Sequence, residues 1–85
     1  MMTNNERTEL ELYIDVLNSL IGDFYVITSR YNISLDKDDN VGAYYRSMLQ
    51  CVDSLRRTTS YEDVLEAKEK IAEIKRTLAK LEVGP

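Results

Sequence analysis

Three groups of residues in this chain have types and spacings that chemistry can use. The first is Asp36, Asp38 and Asn40, the D-x-D-x-N opening of a calcium-binding loop. Such a loop needs a glycine at its turn and a bidentate Glu at its end, because a hard cation must be wrapped in oxygens. Val41 and Ser47 stand at those two positions. The segment therefore reads as an acidic loop that caps the following helix, and no metal is expected.

The second is Cys51, the sole cysteine. A thiol becomes a nucleophile when a neighbouring base or cation draws off its proton, and the chain contains no His to do so. A half-buried structural thiol is the expectation. Carboxylates are plentiful, but Glu62, Glu66, Glu69 and Glu73 recur at helical spacing and form a solvated stripe. With no His, no glycine-rich phosphate loop and no dinucleotide fingerprint, no catalytic residue and no cofactor is expected.

The third is aromatic and basic. Tyr44, Tyr45 and Arg46 are contiguous, and Arg56 and Arg57 follow about three turns later. Tyr and Arg are enriched at binding hot spots, and an Arg can also stack on a base or clamp a phosphate. Tyr44, Arg46, Arg56 and Arg57 are the expected partner-binding residues, and an anionic nucleotide is the alternative ligand. Tyr13, Tyr31 and Tyr45 read as seam residues whose hydroxyls reach water.

Composition narrows the classes further. The chain has 85 residues, 44% of them hydrophobic, which suits one soluble domain spanning 1–85. Fifteen acidic residues against eleven basic give −4, unfavourable for general binding to DNA or RNA. The N-terminus lacks the basic-then-apolar pattern of a secretory signal. The most apolar run, 10–27, carries Glu11, Asp15 and Asp23 and is costly to place in a membrane. A reduced, cytoplasmic location is expected.

The elements that position these residues follow from periodicity. Leu10, Tyr13, Leu17, Leu20, Phe24, Ile27 and Tyr31 alternate spacings of three and four, which predicts a helix near 4–31. Thr3 and Glu6 stand at capping-box spacing, and Asn32 suits a left-handed stop. Gly22 and the β-prone run 24–28 argue for a hairpin with 31–35, but the apolar phase runs through Gly22 unbroken and favours helix.

Val41, Tyr45, Met48, Val52 and Leu55 predict a second helix near 40–57, capped by Asp38 or Asp39. Val64, Ala67, Ile71, Ile74, Leu78 and Leu81 predict a third near 60–82. Its start is offered a capping box by Thr59 with Glu62 or Ser60 with Asp63, and Gly84-Pro85 ends it. The joint at 57–60 is short enough to force antiparallel neighbours. The fold class is all-α, an up-down-up three-helix bundle, with Ile33 and Leu35 tucked beneath it.

The first helix has more apolar surface than its seam requires. It either touches both other helices or offers Leu12 and Val26 to another chain. Tyr61, Leu65, Ala72 and Ala79 form a flanking stripe on the third helix. Leu12, Val26, Tyr61 and Leu65 are the expected oligomer interface. Residues 1–40 hold three basic and eight acidic groups, whereas 41–85 hold eight and seven. Lys68 and Lys75 are accordingly expected to meet Glu9, Glu11 or Asp15. Together these features point to a non-enzymatic protein-binding module of the inhibitor, immunity-factor or adaptor kind, acting as a homo-oligomer.

Overall fold

A computed structural model of the chain describes residues 1–83, so the expected stop at Gly84-Pro85 lies outside the described residues. Three helices form: α1 (Asn4–Arg30), α2 (Asn40–Arg57) and α3 (Tyr61–Val83). They run up, down and up, so α1 and α3 are parallel. The α1 capping box closes as its spacing requires. Thr3 Oγ1 accepts from the Glu6 amide at 3.2 Å, and Glu6 Oε1 accepts from the Thr3 amide at 2.8 Å. At the other end Asn32 adopts φ 57°, the left-handed conformation that Asn tolerates better than most residues.

Residues 24–28 are helical, not a strand. Phe24, Ile27 and Thr28 of that run are all buried. The Thr28 hydroxyl bonds back to the Phe24 carbonyl at 2.8 Å and the Tyr25 carbonyl at 3.0 Å, which satisfies the one polar side chain in the core. The apolar phase overrides β propensity because it decides which side chains leave water.

The core combines Leu17, Leu20, Phe24 and Ile27 of α1, Met48, Val52 and Leu55 of α2, and Ala67, Ile71, Ile74 and Leu78 of α3. α1 packs on both other helices, and α2 and α3 touch each other less. Phe24 makes this visible: it is 2% exposed, and its ring lies 5.8 Å from Tyr44 and 6.1 Å from Tyr45.

The α1–α2 loop is held against the start of α2. Leu35 packs on the core, and Ile33 is half-buried. Asp39 is the N-cap of α2, its Oδ1 accepting from the Gly42 amide at 2.9 Å. Gly42 is there because a Cβ would lie 2.1 Å from the Lys37 carbonyl and 3.1 Å from that of Leu35. The cap of α3 departs from expectation: neither capping box forms. Instead Thr58, in an extended conformation at the end of α2, accepts from the Ser60 amide at 3.0 Å and donates to Asp63. The Thr58 hydroxyl thus ties the turn to the first turn of α3 through the Asp63 carboxylate, without accepting from an α3 amide.

The two helical glycines should respond oppositely to the same substitution. Gly22 is exposed, and an added methyl would meet nothing within 4 Å. Gly22→Ala should stabilise by about 0.5–1 kcal/mol. Gly42→Ala should destabilise by about 1–3 kcal/mol, since the loop backbone must move away. Urea denaturation of both variants followed by circular dichroism reads the two signs directly.

Candidate binding surfaces

Tyr44, Arg46, Arg56 and Arg57 do not converge. Tyr44 turns inward, its ring against Phe24, its hydroxyl 3.3 Å from Thr77 Oγ1, and the Lys70 ammonium 4.7 Å from the ring centre. Arg46 reaches back over the loop to the Lys37 carbonyl and Asp38 Oδ1, each at 3.5 Å. Arg57 pairs with Asp53 at 3.1 Å within its own helix. Arg56 is exposed. The arginines at 56 and 57 lie roughly 15 Å along the axis from Arg46, so the four make no single clamp. The spacing allows the inward turn of Tyr44 without selecting it. Val41, Tyr44, Met48, Cys51 and Leu55 form a second three-four stripe on α2, beside the one through Tyr45 and Val52. α3 covers that stripe.

Between α2 and α3 runs a groove with Cys51, Ser54, Asp63, Glu66 and Lys70 on its walls, enclosing about 470 Å³. A smaller apolar cleft of about 210 Å³ lies nearer the end of α3, lined by Phe24, Val41, Tyr44 and Leu81. Burial pushes the Cys51 thiol up from its ordinary 9.0, Lys70 pulls it down, and Glu66 pushes it up again. The result is a protonated thiol at neutral pH, with Lys70 committed to Glu73 at 3.1 Å and to the Tyr44 ring. Among the described residues no three carboxylates or thiols gather to hold a metal ion; Asp38 faces Arg46 and Asp39 caps α2.

The outer face shared by α1 and α3 is a different kind of surface. At one end Glu9 accepts two phenol protons: Tyr13 Oη at 2.9 Å on Oε1, and Tyr61 Oη at 2.8 Å on Oε2. The Glu9–Tyr13 spacing of four was visible in the sequence, whereas Tyr61 lies 52 residues away. At the other end Val26 and Arg30 of α1 line one shallow pocket with Glu82 of α3. These two contacts place the starts of the parallel helices together and their ends together. Leu12, Val16, Ser19, Asp23 and Val26 follow one another along α1, and Leu65, Lys68, Ala72, Lys75 and Ala79 along α3.

On each helix these residues recur at three-four spacing and form one stripe beside the α1–α3 junction. Leu12 is 56% exposed, Val26 55% and Leu65 46%. Ser19, Asp23, Lys68, Ala72, Lys75 and Ala79 are exposed with them. Tyr61, by contrast, is half-buried and spends its hydroxyl on Glu9 within the chain. The expected pairing of Lys68 and Lys75 with Glu9, Glu11 or Asp15 is absent among the described residues, whose ion pairs are Arg46–Asp38, Arg57–Asp53 and Lys70–Glu73. The face therefore presents apolar side chains at both ends and unpaired opposite charges between them. No helix among the described residues is long and apolar enough to cross a membrane.

The chain matches no protein-family model, no curated protein and no solved structure.

Two measurements follow from these contacts. The hydrogen bonds to Glu9 raise the pKa of both Tyr13 and Tyr61 above the ordinary 10.0, with smaller contributions from burial and from the Glu9 charge. A phenol raised in the folded state contributes stability below its unfolded pKa and loses it as pH rises through the folded value. Absorbance at 295 nm should show two of the six tyrosines ionising after the others, and Glu9→Ala should bring both back toward the rest. Cys51 should react with a disulfide reagent at pH 7 more slowly than a free thiol, accelerating on unfolding in urea.

Proposed function

We propose that this chain is a protein-binding module that works through a helical face, with no chemistry of its own. The carrying observation is the outer α1–α3 face, on which Leu12, Val26 and Leu65 stay about half exposed in a bundle of only 85 residues. Isolated exposed apolar side chains are ordinary. Three large ones aligned on two neighbouring helix stripes, with Ala72 and Ala79 allowing close approach, have the form of a contact surface. Lys68, Lys75, Asp15 and Asp23 add a charge pattern that selects among partners.

The neighbouring chemistry agrees with this reading. Burial keeps the Cys51 thiol protonated, and Lys70 is engaged by Glu73 and Tyr44. Tyr44 and Arg46 serve the interior and the loop, which moves the weight of the binding proposal from α2 to α1 and α3. An inhibitor, immunity factor or adaptor would use such a surface, gaining affinity from a few apolar anchors and specificity from the charges.

A photo-crosslinking amino acid placed singly at Leu65, Val26, Gln50 or Arg56 tests the assignment in living cells of the native host. Leu65 and Val26 should each give a discrete protein adduct, and Gln50 and Arg56 on the far side should give none. Adducts from Arg56 alone would return the site to α2, and no adduct at any position would overturn the binding-module reading.

A further inference from the structure

We draw no further inference here: the strongest candidate, the groove between α2 and α3 walled by Cys51, Ser54, Asp63, Glu66 and Lys70, rests on a single thiol and a short acidic row, and nothing in the structure shows what covers it.

Discussion

The bundle depends on one constraint: α1 must present an apolar face wide enough for two helices at once. α2 and α3 touch each other less than either touches α1, so neither could hold its place without it. Phe24 shows how the demand is met. From a single position its ring reaches both Tyr44 and Tyr45 of α2, and it also lines the cleft shared with Leu81 of α3. A seam of one residue per turn would serve one neighbour, and the extra width supplied by Ile14, Val16 and Ile21 serves the second. That same width is why apolar surface remains at the edges of α1. Burial of the face is limited by the diameter of the two helices that cover it, and Leu12 and Val26 fall outside their reach.

The loop before α2 shows a second economy of packing. Gly42 lets the loop carbonyls approach the first turn of α2, Asp39 supplies the cap, and Arg46 bridges back to Lys37 and Asp38. Residues with the look of a metal loop and of a binding arginine are here parts of one local closure. Charge at a helix start usually answers to the unpaired amides there, which explains why an acidic loop can resemble a cation site without gathering its oxygens.

The functional reading then follows from what the bundle leaves over. The polar contacts within the chain account for Glu9, Tyr13, Tyr61, Tyr44, Thr77 and Lys70. They do not account for Lys68 and Lys75 of α3 or Asp15 and Asp23 of α1, which are exposed and form no ion pair among the described residues. In water such exposed charges gain little from pairing within one chain, since fixing two long side chains costs entropy comparable to the attraction. Partly covered by a second surface, they set orientation more than affinity. The same stripe thus combines apolar anchors with a directional charge pattern.

The three helices, their order and most of their ends can be read from the residues alone. Apolar spacing and the Thr3, Asp39 and Asn32 caps are local signals, read within one or two turns. The outward stripe of Leu12, Val26 and Leu65 was also legible, because a helix can bury only part of its circumference in a bundle this small. Helix packing selects which of the two three-four stripes on α2 faces α3, and with it the inward turn of Tyr44 and Cys51 while Arg46 serves the loop. It alone joined Tyr61 to Glu9 and brought Thr58 onto Ser60 and Asp63 at the α2–α3 turn. Each of these depends on the rotation and axial offset of one helix against another. Those two quantities are set by the summed packing of side chains distant in sequence, and no local pattern encodes them.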